Sequence, residues 1–339
     1  MDRPVHINAL ASRQSGMSLI ELMVAMILGI FLMLGAVTVF NQSRSTYRAA
    51  EGLARLQEVG RLAMDVVESD LRMANFWGMN ADATFIVNRA GSGDPLPSAF
   101  TAGQGAILSS CGGNNSNWAI DLDNYIGGSN NGYGLSCAAA TGYTPVGTAD
   151  VLALRRANTA RPATLNVNRV YLQTSRIQGE LFIPACTDPT SASCIPPSFL
   201  PPVSQSRELE AHAYYVADRS TLRTDVPSLR RKRLANVNDA TNAYVDEEIV
   251  SGIEDLQIQF GIDTNGDSNV DQYVNPGAVA GNQVVSATIW LRVRAEDPDY
   301  SHTDGRSYQY ADMASAFTPN DNYRRIVISK TILLRNTRV

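Results

Sequence analysis

The sequence lacks the short motifs by which common enzyme classes are recognised. Its 339 residues contain no G-x-S-x-G nucleophile motif, no phosphate-binding P-loop and no H-E-x-x-H metal motif. Histidine is also scarce, with three in the whole chain. His212 lies in a strand-like segment, which favours a structural role, and His302 lies in a polar loop without metal-ligand spacing. We therefore predict that the protein is not an enzyme, has no catalytic residue and requires no cofactor.

The chain also lacks an excess of positive charge. It has 28 Lys and Arg residues against 33 Asp and Glu residues, a formal charge of −5, so nucleic acid is not expected as a partner. The one basic cluster, Arg230–Arg233, has two interpretations. It could form a phosphate-binding patch, or it could lie on the solvated face of a strand, because the sequence around it is β-like. We favour the solvated strand face.

Cysteine is limited to four residues: Cys111, Cys137, Cys186 and Cys194. None belongs to a C-x-x-C redox or zinc motif. An even number in an exported chain favours two disulfides, and three pairings are open. The nearest neighbours in sequence, Cys111 with Cys137 and Cys186 with Cys194, would each close a loop rich in turn residues. The alternative is four free thiols in a reducing compartment.

The most informative feature present is a long apolar run near the start of the chain. No residue from 22 to 43 is charged, and a helix of this length spans about 33 Å, enough to cross a bilayer core. A short leader with Arg3 and Arg13 ends at Gly16, before this run. An ordinary secretory signal is cleaved after its apolar stretch. Cleavage at Gly16 would instead leave the apolar run at the amino terminus of the mature protein.

The helical pattern continues beyond this run and becomes amphipathic. Charged residues on one side include the pairs Glu51 with Arg55 and Glu68 with Arg72, at the i,i+4 spacing that supports a helix. We predict one helix over about residues 18–74, with its first half in lipid and its second half against a globular head. Its apolar stripe advances in steps of three and four residues: Leu53, Leu56, Gly60, Ala63, Val67, Leu71 and Ala74.

The remaining sequence has the patterns of loops and strands. Residues 88–148 are rich in Gly, Asn and Ser, which predicts long loops. The fold class expected is α+β, with a long amino-terminal helix packed on a largely antiparallel β-sheet head whose long loops are stapled by disulfides. Strand patterns occur at residues 151–155, 170–172, 181–183 and 213–216, and most clearly at 256–262, 288–293 and 325–334.

The order Gly16, Met17, Glu21 and then the apolar run resembles the signal of type IV pilins and of type II secretion pseudopilins. The resemblance implies cleavage between Gly16 and Met17 by a prepilin peptidase, followed by N-methylation of Met17. Family members usually have Phe at that position. The resemblance also implies that Glu21 meets the amine of a neighbouring subunit during assembly. The alternative for Glu21 is a position at the level of the lipid headgroups.

Three further segments are similar to the PilW family of minor pilins: Asp70–Gly78, Gly252–Asp263 and Tyr323–Asn336. Family members often have Cys where this chain has Met79. The resemblance implies four segments. These are a leader peptide at 1–16, a transmembrane and assembly half-helix at 17–43, an amphipathic half-helix at 44–75 and a periplasmic β-rich head at 76–339.

The function implied is that of a minor pilin that helps to prime or nucleate type IV pilus assembly and joins the pilus tip or fibre by helix–helix packing. The partners implied are other minor pilins, the major pilin, a tip adhesin, the prepilin peptidase and the inner-membrane assembly platform. The protein would reside in the inner membrane with its head in the periplasm, and later in the pilus. One alternative is a minor pseudopilin of a type II secretion system. Another is a membrane-anchored periplasmic enzyme or binding protein.

A cation site is predicted in the loop 263–271. Oxygen-bearing side chains fall there at every second position: Asp263, Asn265, Asp267, Asn269 and Asp271. This spacing resembles the opening of EF-hand-like calcium loops, and calcium prefers six to eight such oxygens. The twelfth position holds Val274 where an EF-hand has Glu. The alternative is a plain acidic hairpin turn, because Asp, Asn and Gly are also turn residues.

Overall fold

The computed structural model describes residues 16–112 and 116–337 of the chain. The chain divides into two compact units, Met1–Glu51 and Gly52–Val339, which we describe separately. One helix, α1, extends over Leu19–Met73 and contributes to both units. The single helix expected over residues 18–74 is therefore confirmed to within one residue at each end. The part of the leader before Gly16, with Arg3 and Arg13, lies outside the described residues.

The first unit consists, in its described part, of the amino-terminal portion of α1. Leu, Met and Ala are frequent here and proline is absent, which suits a helix. The Ser18 hydroxyl accepts a hydrogen bond from the backbone N–H of Glu21 at 3.2 Å, as an N-cap residue does. Every residue from 16 to 48 is exposed. By length and composition, this helix is suited to crossing a membrane.

In the second unit, the remaining turns of α1 bury one face. The predicted stripe is right except at Leu53, which is 44% exposed. Glu68 was placed on the charged side, and this was wrong, because Lys330 of a neighbouring strand draws its carboxylate to the buried face. The buried helical residues are Leu56, Gly60, Ala63, Met64, Val67, Glu68, Asp70 and Leu71.

The larger of two sheets has eight strands. Their order is β1-β5-β4-β6-β3-β2, and β7 joins β6 and β8 joins β7. Only the short pair β1–β5 is parallel. The strands are β1 (Ile86–Val87), β2 (Ile126–Ser129), β3 (Val151–Ala157), β4 (Tyr171–Thr174), β5 (Gly179–Phe182), β6 (Gln205–Ala217), β7 (Ser228–Leu234) and β8 (Tyr244–Ser251).

The smaller sheet is antiparallel, with the order β10-β9-β11-β12. The strands expected at 256–262 and 288–293 are confirmed as parts of β9 and β11, in which Phe260 and Leu291 are fully buried. The structure is thus an α+β fold with a largely antiparallel head. The strands are β9 (Ile253–Asp263), β10 (Gln272–Val274), β11 (Gln283–Arg294) and β12 (Arg325–Leu333).

Two large apolar clusters form the core of the second unit. One joins the buried face of α1 to both sheets and includes Leu71, Tyr214 and Phe260. The other includes Tyr215 and Leu108 and lies under the loops that follow α1. The consecutive residues Tyr214 and Tyr215 belong to different clusters, because successive side chains of a strand point to opposite faces. The larger sheet is therefore buried on both faces.

The loop prediction for residues 88–148 missed one helix. α2 covers Ala102–Ser109 and buries Leu108. Its start is a capping box, in which Thr101 and Gln104 exchange side-chain and backbone hydrogen bonds. The T-x-x-Q spacing could have revealed this helix, but two glycines among its eight residues weaken the helical signal. The rest of this region, where described, is turns and the strand β2.

Candidate functional site

The residues of the predicted processing and assembly site lie at the start of α1. Gly16 and Met17 precede the helix and are exposed, and a Cβ atom added to Gly16 would meet nothing within 4 Å. Glu21 lies in the first turn, where the helix dipole favours a carboxylate. Within the described chain, the Glu21 carboxylate has no ion-pair partner. Cleavage, methylation and subunit pairing at these residues stay predictions.

The apolar surface that follows Glu21 is uncovered. Exposed apolar surface of this extent is typical of contact with a membrane or with other proteins. A carboxylate at the edge of such a surface is costly in lipid unless it is paired. The large apolar side chains of this exposed surface include Leu22, Met23, Val24, Met26, Ile27, Leu28, Ile30, Phe31, Leu32, Met33, Leu34, Val37, Val39 and Phe40.

A buried polar cluster fixes the last turns of α1 to the larger sheet. Asp70 is its centre and accepts hydrogen bonds from Nδ1 of His212 at 2.7 Å and from Nη2 of Arg156 at 2.8 Å. The Tyr214 hydroxyl also donates to Asp70. Burial alone would raise the pKa of the Asp70 carboxyl. The hydrogen bond from His212 and the charges of His212 and Arg156 outweigh it and hold that pKa well below its usual range.

The structural role expected for His212 from the sequence did not come with a partner. The Asp70 carboxylate lies 142 residues away in sequence. One feature of the sequence could have indicated this partner. Asp70 is a second carboxylate, two residues after Glu68, and it lies beside the apolar residues Val67 and Leu71 on one side of the helix. Such a charge inside a buried helical face requires a partner elsewhere in the fold.

A second set of contacts fixes the end of α1 to the carboxy-terminal segment. Asn75 follows the helix with a positive φ of 62°, a conformation that ends helices. Its side-chain amide donates to the backbone oxygen of Asn336 at 2.9 Å, and the Asn336 amide donates to the backbone oxygen of Ala74 at 3.2 Å. Lys330 of β12 donates to Glu68, about one and a half helical turns before the end of α1. The head therefore holds α1 from two sides.

The polar cluster also contains three groups with metal-ligand chemistry. One ligand atom each of Asp70, Glu210 and His212 lies within 4.8 Å of the others. Arg156, however, forms ion pairs with both carboxylates. A dication placed between the same oxygens would face this guanidinium at short range. The arrangement therefore suits a structural ion-pair network better than a metal centre.

The basic cluster Arg230–Arg233 is not a solvated strand face, and that expectation was wrong. Arg230 and Lys232 are buried on β7, and both contact Asp246 of the neighbouring β8, at 2.7 Å and 3.2 Å. The other two arginines of the cluster share Glu247. The reason is the pairing of β7 with β8, which sets an acidic run opposite the basic run. That acidic run was visible in the sequence.

The structure joins the four cysteines into two disulfides, Cys111 with Cys137 and Cys186 with Cys194. Of the three alternative pairings that the sequence left open, this is the one that joins cysteines nearest to each other in sequence. Cys111 is fully buried and packs within the cluster that contains α2. Residues Cys186 and Cys194 lie in a small separate cluster beside Phe182. Each disulfide thus fastens a loop to the larger sheet.

The loop 263–271, the predicted calcium site, joins β9 to β10 as a hairpin closed by its own hydrogen bonds. Asp263 accepts backbone N–H groups from Asn265, Gly266 and Ser268 at 2.6 to 3.0 Å. Asp271 accepts the backbone N–H and the hydroxyl of Thr264, both at 2.7 Å. The loop carboxylates do not gather within 4.8 Å of one another. Calcium binding here stays a prediction.

His302, the other histidine considered, lies in a loop between β11 and β12. Its backbone oxygen accepts a hydrogen bond from the Asn322 amide at 2.6 Å. Asp299 and Asp304 of the same loop pair with arginines, Arg324 and Arg306. Within the part of the chain that the structure describes, His302 belongs to no group of potential metal ligands.

Comparison with protein families finds two segments of the chain that match known models. Residues 213–336 match the family described as type IV pilus-assembly protein W, PilW, and residues 11–37 match the prokaryotic N-terminal methylation motif. Over residues 213–336 the chain is similar to the PilW family, and both matches support a type IV pilin. The second match includes Gly16, Met17 and Glu21, and the first extends from within β6 to one residue before the end of the described chain.

Among solved structures, the chain is similar to a type IV-like pilin from Thermus thermophilus. The two are 13% identical, with 57% of this chain and 83% of that chain covered and a TM-score of 0.27. No curated protein sequence matches this chain. The PilW segment contains the ion-paired strands β7 and β8 and the whole smaller sheet. The methylation motif and the apolar helix together are those of a membrane-anchored pilin.

Proposed function

We propose that this protein is a minor pilin of the PilW family that helps to prime type IV pilus assembly. It joins the pilus tip or fibre through its amino-terminal helix. The observation that carries the proposal is the apolar surface of α1 up to Phe40, which no described residue covers and which begins with the lone carboxylate of Glu21. In the membrane this surface contacts lipid. In the fibre it packs against the corresponding helices of other pilins.

Processing precedes this step. The prepilin peptidase removes the leader after Gly16, and Met17 becomes the methylated amino terminus. The exposure of both residues, ahead of the helix, supports access by the peptidase. The head then lies in the periplasm. Its two disulfides support this location, because disulfides persist in oxidising compartments.

The partners proposed are other minor pilins, the major pilin and the inner-membrane assembly platform, with a tip adhesin at the distal end. Glu21 selects the helix register by pairing with the free amine of an adjacent subunit. Such a pair removes the cost of a lone carboxylate in an apolar environment. The amine of Met17 exists only after the leader is removed. Pairing between this amine and Glu21 would therefore make entry into the fibre depend on prior cleavage.

The test replaces Glu21 by Gln, which keeps the shape of the side chain and removes its charge. Glu58→Gln is the matched control, because Glu58 is an exposed carboxylate on the same helix. We expect the Glu21 variant to insert into the membrane normally but to reduce pilus number and co-purification with other pilins. The control should behave as wild type. Unchanged pilus number in the Glu21 variant would contradict the proposed role.

Intact-mass analysis of the membrane-inserted protein tests the processing step. We expect a mature chain that starts at N-methylated Met17. A start beyond the apolar run would contradict the pilin assignment of the signal. A separate measurement addresses the alternative of a type II secretion pseudopilin. Loss of the protein would then impair secretion and leave pilus number normal.

A further inference from the structure

Arg155 differs from the other buried arginines of the described chain. Four arginines are almost completely buried: Arg155, Arg230, Arg292 and Arg325. The last three each have a carboxylate within 3 Å, Asp246 in one case and Glu254 in two. Arg155 is only 5% exposed, yet no described carboxylate lies within 4 Å of its guanidinium. A buried charge without a charged partner is costly, so this exception requires an explanation.

Neutral groups hold the Arg155 guanidinium in place. Nε donates to the backbone oxygen of Trp118, and Nη1 donates to the backbone oxygen of Asn124. The guanidinium carbon lies 5.0 Å from the centroid of the Trp118 ring, within cation–π distance. Asp121 is nearby, but its carboxylate accepts hydrogen bonds from Asn124. Among the hydrogen bonds of the described residues, none uses Nη2 of Arg155.

The incomplete compensation of this charge also affects its acidity. Burial lowers the pKa of the Arg155 guanidinium to about 10, with Asp121 opposing the shift from a distance. The group still carries its charge at neutral pH. It is therefore a fixed buried cation with unused donor capacity.

Arg155 lines a cavity of about 350 Å³, which we call the Arg155 pocket. It is the one charged residue among the described residues that line the pocket. Trp118, Ile126, Leu135 and Val279 supply apolar walls, and most of the remaining lining residues are glycines or other small residues. Pockets of this size with apolar walls and one polar anchor are typical small-molecule sites.

The walls of the pocket are fixed by strong structural elements. Ile126 and Arg155 lie on the paired strands β2 and β3. Cys111, which also lines the pocket, is tied to Cys137 by a disulfide. The Arg155 side chain itself is held by two backbone oxygens. A ligand would therefore meet a preformed site and lose little of its affinity to ordering the protein.

We propose that the Arg155 pocket binds a small monocarboxylate with an apolar body. The carboxylate pairs with the free edge of the Arg155 guanidinium, and the body contacts the apolar walls. A single cation matches a single negative charge, whereas a phosphate dianion would lack a second cation in this lining. Carboxylate recognition by a guanidinium is among the stronger charge-assisted hydrogen bonds. This activity is separate from the proposed role in pilus assembly.

The probe for the test is phenylacetate, with the neutral phenylacetamide as its matched control. Calorimetric titration uses the full chain in a non-ionic detergent, with the detergent alone as the blank. We expect saturable binding of phenylacetate and binding at least roughly tenfold weaker for the amide. Equal binding of the acid and the amide, or no binding at millimolar phenylacetate, would overturn the proposal.

Two variants separate binding from folding. Arg155→Gln removes the charge and should abolish the preference for the acid over the amide. Gly127→Leu fills the pocket, since a Cβ atom at Gly127 meets nothing within 4 Å, and it leaves Arg155 in place. Gly147→Leu is the matched control, because Gly147 has equally open space but lies outside the pocket lining. Phenylacetate binding retained in a folded Gly127→Leu variant would also overturn the proposal.

The carboxylate could belong to a free acid or to the end of a peptide. A short peptide that ends in Phe is therefore titrated with a free carboxylate and with an amidated end. Preference for the free-ended peptide over phenylacetate would identify a chain end as the source, and the reverse preference would identify a free acid. Both outcomes support carboxylate recognition at Arg155. Because the variants leave α1 unchanged, pilus assembly should be normal in all of them, so the two proposals fail independently.

Discussion

Nδ1 of His212 lies 2.7 Å from the carboxylate of Asp70, and this contact joins the last turns of α1 to the centre of β6. The two residues are among the most buried polar groups of the second unit. Arg156 and Tyr214 complete the hydrogen bonds of the carboxylate. Within the second unit, the last turns of α1 are therefore fixed to the larger sheet by a buried, paired charge.

Asp70→Asn should strongly destabilise the head. The substitution keeps the shape of the side chain but removes the charge that compensates Arg156. Breaking a buried ion pair costs about 3–5 kcal/mol, and we expect a loss of this size in the free energy of unfolding. Chemical denaturation of the two proteins measures it. The matched control is Asp65→Asn, because Asp65 lies on the same helix but is largely exposed, and its pair with Arg61 is long at 3.8 Å.

The Asp65→Asn control should lose less than about 1 kcal/mol in the free energy of unfolding. Equal losses in the Asp70 and Asp65 variants would show that the buried cluster contributes little to stability.

Two glycines of α1 should respond in opposite ways to alanine. A Cβ atom at Gly60 would lie 2.3 Å from Ile328 and 2.9 Å from Val293, whereas at Gly52 the nearest atom would be 3.9 Å away on Arg324. Gly60→Ala should therefore destabilise the head by about 1–3 kcal/mol through overpacking. Gly52→Ala should stabilise the helix by up to about 1 kcal/mol. Thermal melting of both variants tests this contrast, and a stabilised Gly60→Ala variant would contradict it.

Asp150 should make the head less stable as the pH rises. It is buried and accepts the N–H groups of Asn131 and Ile258, both at 2.8 Å. Burial, with smaller contributions from the nearby Asp312 and Asp255, raises the pKa of the Asp150 carboxyl to about 7, although the two backbone hydrogen bonds oppose the shift. The folded-state pKa of Asp150 exceeds the unfolded value of 3.8. The contribution of Asp150 to stability is therefore complete when the pH is below 3.8. The contribution is lost as the pH rises to about 7.

Comparison with Asp150→Asn isolates this contribution, since the other titrating groups are common to both proteins. We expect the stability of wild type relative to the variant to fall by on the order of 4 kcal/mol between about pH 4 and about pH 8. Unfolding free energies of both proteins at the two pH values provide the measurement. A relative stability that rises with pH would show that the two N–H donors outweigh the burial of the charge.

The two disulfides should contribute unequally to stability. Cys111–Cys137 has a sequence separation of 26 and Cys186–Cys194 a separation of 8. A disulfide stabilises the protein mainly by constraining the unfolded chain. Replacing Cys111 and Cys137 by alanine should lower the free energy of unfolding by about 3–4 kcal/mol, and replacing Cys186 and Cys194 should lower it by about 2–3 kcal/mol. Denaturation of the two double variants measures the difference. Thiol labelling of the denatured, non-reduced wild type should find no reactive thiol, and four reactive thiols would contradict the pairing.

We predict that calcium binds the loop 263–271 and raises the melting temperature of the protein at millimolar concentration. The informative variant is Asp267→Asn. Asp267 accepts one backbone N–H, from Asn269, whereas Asp263 accepts three, so replacing Asp263 would disturb the loop even without an ion. The variant should fold normally and lose the effect of calcium. If calcium produces no heat and no shift in wild type, the loop is a plain turn.

Sequence patterns were sufficient where a signal is local. The long helix, the late strands and the apolar faces of Phe260 and Leu291 follow from periodicity, because burial of one face imposes a period of 3.6 or 2 residues. The α2 helix was missed because a short helix with two glycines has little periodic signal. The basic cluster was misread because a strand face alone does not reveal which strand will lie beside it.

The apolar helix, and the prediction of a processing site at Gly16 followed by Glu21, come from the sequence by itself, because they depend on the order of residues along one segment. Tertiary structure alone decided which charges are buried together. The contacts of Asp70 with His212 and of Arg155 with the backbone oxygens of Trp118 and Asn124 join segments well separated in sequence. The same is true, over a shorter separation, of Arg230 with Asp246. Such contacts depend on which strands lie side by side, and a pattern along one segment does not reveal its neighbours in the sheet.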